Sequence, residues 1–174
     1  MKGMHQGLRR WRVAAMGVAT LLMMGLASAP AFADQPIVGL WEVTLSLTGM
    51  PPLHSFENWN SDHTQLENAA KPILGGNVCL GAWISLGKNS FGLTHPVYLF
   101  DDTAESSTEG QPTGNSGNLL YTITVDSTKA NFSGNATLKL YKGFDPFDPA
   151  APVLATFKGT VVGKRVSVDK SQLP

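Results

Sequence analysis

The chain has 174 residues, with 13 basic and 13 acidic side chains, 15% charged residues overall and one cysteine. Nucleic-acid binding needs clustered Lys and Arg, and no such stripe is present. A lone cysteine excludes an internal disulfide.

Residues 1–33 read as a signal peptide. Lys2, Arg9, Arg10 and Arg12 form a basic start, Val13 to Leu26 is an uncharged apolar run, and Ala31-Phe32-Ala33 offers the small residues that a signal peptidase accepts. The apolar run is shorter than the roughly 20 residues of a membrane span. Cleavage after Ala33 leaves one domain, 34–174, that keeps every acid but only nine of the bases, for a net charge of −4. The expectation is an exported protein, periplasmic or secreted, whose mature form has no membrane span and no nucleic-acid partner.

From there almost every segment alternates with period two, which is the mark of strands. The first strand is Ile37 to Thr48, with Trp41, Val43, Leu45 and Leu47 on one face, and it ends at Gly49-Met50-Pro51-Pro52. The second, His54 to Leu66, is unusually polar on both faces. Ala69 and Ala70 suit a short helical turn before the third strand, Val78 to Leu86. Ser90 to Phe100 is the fourth. Residues 101–118 lack Val, Ile, Leu and aromatic side chains, so they read as a long flexible loop. Leu119 to Val125 and Ala130 to Tyr141 are the fifth and sixth strands. The prolines of "KGFDPFDPAAP" exclude a central strand there. Val153 to Val162 and Lys164 to Val168 follow, with Gly163 as a turn or as a bend within one long strand.

Seven or eight sequential strands joined by short turns predict an all-β, up-and-down antiparallel barrel of about eight strands. A Greek-key sandwich is the alternative. A barrel of this size holds either packed side chains or one small ligand.

Gly39-Leu40-Trp41 near the domain start and Arg165 in the last strand resemble the signature of the lipocalins, a calycin-type barrel family. The resemblance implies that Trp41 plugs one end and that Arg165 packs across its ring, tying the first strand to the last. The Thr-Asp-Tyr loop motif, the disulfide and the C-terminal helix of the fuller lipocalins are absent from the sequence. Trp59-Asn60-Ser61-Asp62, Gly76-Asn77-Val78-Cys79-Leu80-Gly81-Ala82-Trp83 and Phe91-Gly92-Leu93-Thr94-His95-Pro96 resemble the pattern of a group of small exported bacterial proteins. Barrels similar to allene oxide cyclase or streptavidin stay open as alternatives.

The lipocalin resemblance implies a small, partly apolar ligand inside the barrel. The wall expected for it is Asn58, Trp59, His63, Trp83, His95 and Tyr98, with Trp59 as a stacking platform. Core packing is the competing account of the tryptophans. Gly39, Trp41 and Arg165 are assigned to barrel closure. Cys79 lies in an apolar run and reads as a buried, inert thiol. His54, His63 and His95 with Asp62 or Glu67 lack the tight spacing of a zinc motif, so no metal and no cofactor is assigned. Ser61, Asp62 and His63 do not make a catalytic set, because neighbours on a strand point to opposite faces. A cyclase- or isomerase-type enzyme would need His63, His95 or Glu57 inside with a shifted pKa. A fully packed barrel using its rim loops for contact is the third reading.

Overall fold

The computed structural model describes residues 35–71, 77–101, 103 and 107–172. The expected signal peptide lies outside the described residues. Eight strands follow one another: β1 Gly39–Leu47, β2 Leu53–Trp59, β3 Thr64–Ala69, β4 Val78–Ser85, β5 Ser90–Phe100, β6 Pro112–Val125, β7 Asn131–Lys142 and β8 Val153–Arg165. Each pairs antiparallel with the next, and β1 pairs with β8, so the sheet is a closed up-and-down barrel. A short 3-10 turn, Lys170–Gln172, comes after it.

Alternation decides the inside. Trp41, Val43, Leu45 and Leu47 of β1 are buried, and Glu42, Ser46 and Thr48 are exposed. At the end where β1 begins, Trp41, Trp59, Trp83, Phe91 and Phe132 form an aromatic plug. Trp41 and Phe132 meet edge-on at 5.0 Å, Trp59 and Trp83 are tilted at 6.1 Å, and Trp83 and Phe91 are T-shaped at 5.7 Å. Such pairs contribute beyond the area they bury.

Arg165 seals this end. It is the cross-strand partner of Trp41, and its guanidinium carbon lies 4.1 Å over the Trp41 ring. Its nitrogens donate to the carbonyls of Lys129 at 2.7 Å, Val38 at 2.8 Å and Pro36. Trp41 Nε1 donates to the Ile37 carbonyl at 2.7 Å. Gly39 has φ of +131°, and a Cβ there would sit 2.5 Å from Arg165 Nη1. Glycine is therefore required twice over, for its backbone and for the guanidinium above it.

Three expectations change. The predicted strand His54–Leu66 is two strands, β2 and β3, joined by the turn Asn60–His63. Asn60 N donates to the Thr64 carbonyl, Asp62 Oδ1 accepts from Thr64 N at 3.0 Å, and His63 takes φ of +71°. Asn, Ser and Asp are turn formers through such side-chain bonds, a signal masked by the polar character of the whole stretch. The expected loop 101–118 is too long, since Pro112–Asn118 opens β6 and pairs with both β5 and β7. Ladder hydrogen bonds hold it without large side chains, and Gly117 lets Val97, Leu138 and Leu140 close in. Of the two readings of Gly163, the one long strand holds, since it lies within β8. A Cβ there would run into the Phe132 ring, so its bare backbone makes room for the plug. Ala69 ends β3 and forms no helical turn.

Candidate functional site

Above the aromatic plug the barrel interior turns polar. Ser55 and Glu57 come from β2, Gln65 and Glu67 from β3, Cys79 from β4, His95 from β5 and Tyr121 from β6. All are buried except Cys79, which is half-buried. The four-residue turn preserves parity, so odd positions on both β2 and β3 face inward. Register then makes Glu57 and Glu67 direct partners, and Glu67 and Cys79 direct partners. Side chains so placed have Cβ atoms about 5 Å apart.

Glu57 accepts from Trp59 Nε1 at 3.0 Å and from the Tyr121 hydroxyl at 3.3 Å. Burial, reinforced by the facing Glu67 charge, pushes its pKa up to about 8 despite those bonds. Burial also raises Glu67, against the pull of the Ser55 hydroxyl and the Lys71 charge. Tyr121 is raised well above its ordinary value, by burial first and by both carboxyls next. His95 is fully buried, and burial pushes it down to about 4, so it is neutral at pH 7. Its Nε2 lies 3.5 Å from Glu67 Oε2, yet neither ring nitrogen makes a hydrogen bond. The Gln65 amide also lacks a well-formed partner. Burial pushes the Cys79 thiol up to about 11, so it is a weak nucleophile at neutral pH. One donor atom each from Glu67, Cys79 and His95 lies within 4.8 Å of the other two.

A cleft of about 800 Å³ lies toward the end of the barrel opposite the plug, lined largely by outward-facing residues of β4 and β5 and by residues 144–147. Val78, Leu80, Pro96, Tyr98, Phe100, Phe144 and Phe147 make it largely apolar, and Asp145 lies on its rim. Tyr98 and Phe144 meet edge-on at 6.1 Å. Cys79 lines the cleft and also touches the polar cluster, which makes it the link between the two.

The expected ligand wall is divided by this arrangement. Tyr98 has outward parity on β5 and is 61% exposed, so it lines the cleft from outside the barrel, whereas His95 belongs to the interior cluster. Trp59 and Trp83 are fully buried in the plug, in contact with other rings rather than with open space. His63 stands in the β2–β3 turn, stacked on Trp83 at 4.4 Å, with Nδ1 3.1 Å from the Trp83 carbonyl oxygen. Asn58 has outward parity, and its amide donates to Asn60 Oδ1 at 2.6 Å. Asn58 and Trp59 are adjacent on a strand and point to opposite faces of the sheet. Gly39, Trp41 and Arg165 come together where β1 pairs with β8.

The wall set omits Glu57, Gln65, Glu67 and Cys79. A signal existed: Glu57 and Glu67 share the odd parity of Trp59 and Ala69, so carboxyls occupy positions whose neighbours face the core. Among the described residues no helix is long and apolar enough to cross a membrane. No family model, no curated protein and no solved structure matches the chain.

Proposed function

We propose that the chain is an exported, lipocalin-like carrier that takes a small, partly apolar molecule at the open end of its barrel. One observation carries the reading: Cys79 lines the apolar cleft and sits within 4.8 Å, donor atom to donor atom, of the buried Glu67 and His95. Its volume of about 800 Å³ falls within the range of small-molecule sites. Tyr98, Phe144 and Phe147 supply apolar contact, and the polar cluster gives a ligand's polar end something to read. The basic, apolar and small-residue order of residues 1–33 supports export.

The test is native mass spectrometry of protein purified without denaturation, joined to titration with an environment-sensitive apolar dye. The reading expects a bound small molecule, or dye binding at one site that Tyr98→Ala weakens. Neither a co-purifying molecule nor saturable dye binding would sink it.

A second reading is an enzyme of cyclase or isomerase type. It is favoured by the opposite shifts of Glu57 and His95 within one interior, which leave an acid protonated and a base neutral at pH 7. It requires substrate to pass Cys79. Turnover lost in both Glu57→Gln and His95→Gln, with ligand binding retained, would select it over the carrier.

A further inference from the structure

We propose that Glu67, Cys79 and His95 form a binding site for one divalent transition metal ion, with Zn2+ as the ion that best suits the donors. The donors are a carboxylate, a thiol sulfur and an imidazole nitrogen, brought together from three consecutive strands. Their mutual spacing is within 4.8 Å. Zn2+ with bonds of about 2.0–2.3 Å places tetrahedral ligands about 3.3–3.8 Å apart. The His95–Glu67 separation of 3.5 Å already meets that value. Cys79 needs to move inward by no more than about one ångström, a side-chain adjustment on that geometry.

His95 provides an independent pointer. It is fully buried, and both ring nitrogens lack hydrogen-bond partners. A buried polar group without a partner is costly, and a metal bond would satisfy Nε2. The Ser55 hydroxyl bonds the Glu67 carboxyl and so supports the ligand from outside the triad. A mixed S, N, O set is wrong for Ca2+ or Mg2+, which take oxygen ligands in larger number. On binding, the Cys79 thiol gives its proton to solvent and the thiolate takes the metal. The inference stands whether or not the cleft holds an organic ligand.

Chelator-treated protein titrated with Co2+ as the spectroscopic probe tests the site. The expected result is saturation at one equivalent, with the intense visible bands of four-coordinate Co2+ and a thiolate-to-metal band in the near ultraviolet. Zn2+ should displace the cobalt. Cys79→Ser should abolish the thiolate band and weaken binding at least tenfold, while His54→Ala, on the outer surface, changes nothing. Absence of saturable binding, pale octahedral spectra, or a thiolate band surviving in Cys79→Ser would overturn the site. The unaltered protein gives a second measure, independent of how any variant folds. Zn2+ should slow alkylation of Cys79 at least tenfold, and an unchanged rate overturns the proposal.

Discussion

Glu57 and Glu67 face each other across the β2–β3 pair with both carboxyls inside the barrel. Two like charges in that position cannot both stay ionised cheaply, and burial raises the cost further. The closed end has the apolar character that stability asks for, whereas this layer is held against it. Buried, mutually repelling carboxyls of this kind make the layer the candidate functional site, because packing alone gives no reason to choose them.

That pair sets the pH dependence of stability in the metal-free protein. Glu57 titrates near 4.5 when unfolded and near 8 when folded. The folded state therefore holds a proton that the unfolded state has lost, and stability falls with rising pH across that window. His95, ordinarily near 6.5, is pushed to about 4 on folding and acts oppositely between those values. The two offset below about pH 6.5, and the Glu57 loss stands out from there to about pH 8. Its limiting slope is about 1.4 kcal/mol per pH unit. Glu67 adds in the same sense as Glu57, and Tyr121 titrates only at more alkaline pH. Urea unfolding with chelator at pH 6.5, 7.2 and 8.0 should show the decline, and Glu57→Gln should flatten most of it. An equal decline in the variant would refute the assignment.

Phe132 and Gly163 are direct partners in the β7–β8 pair, and the ring fills the space a Cβ would need. Gly163→Ala pushes the ring against Trp41 and should cost about 1–3 kcal/mol, the usual range for overpacking. Adding Phe132→Leu to Gly163→Ala should recover part of that loss, although Phe132→Leu alone destabilises. A double-mutant cycle on urea midpoints reads the coupling. Additive losses would show that the ring does not depend on the bare backbone at 163.

Barrel closure was legible because its carriers obey local rules: strict alternation in β1, turn residues between strands, and an arginine in the last strand. The β2–β3 turn was not, because Asn60, Ser61, Asp62 and His63 continue the polar run around them. The interior cluster was hidden for a related reason. Register assembles Glu57, Glu67, Cys79 and His95 from four strands, and no spacing in the sequence encodes it. His95 was expected at the site, yet its neighbours follow only once β3, β4 and β5 lie side by side.

The cleft makes its own demand on the rim. Phe144 and Phe147 are more than half exposed, at 55% and 58%, although both line the chamber. A ligand seated there would cover them. Loss of one ring's apolar contact is worth about 1–1.5 kcal/mol, or roughly tenfold in affinity. Phe144→Ala and Phe147→Ala should each weaken binding of an apolar dye by about that factor, with little change in urea midpoint. Unchanged dye affinity in both variants would move the binding site away from this mouth.

Arg165 tests closure at the other end, and it separates charge from geometry. Its three nitrogens reach carbonyls of Pro36, Val38 and Lys129 while the plane covers Trp41. Lysine keeps the charge but has no planar fork, so it can reach only some of these oxygens and stacks less well. Arg165→Ala removes the cation–π contact and the charged hydrogen bonds together. Water can reach part of the exposed carbonyls, so the expected loss is about 2–3 kcal/mol. Arg165→Lys should restore less than half of it. Hydrogen exchange should then rise first in residues 35–43 and in the C-terminal half of β8, because those segments meet at the seal. Equal stability of the lysine variant and the parent would mean that charge alone closes the barrel. Protection lost uniformly around the sheet would mean that the seal is no weaker a point than any other strand pair.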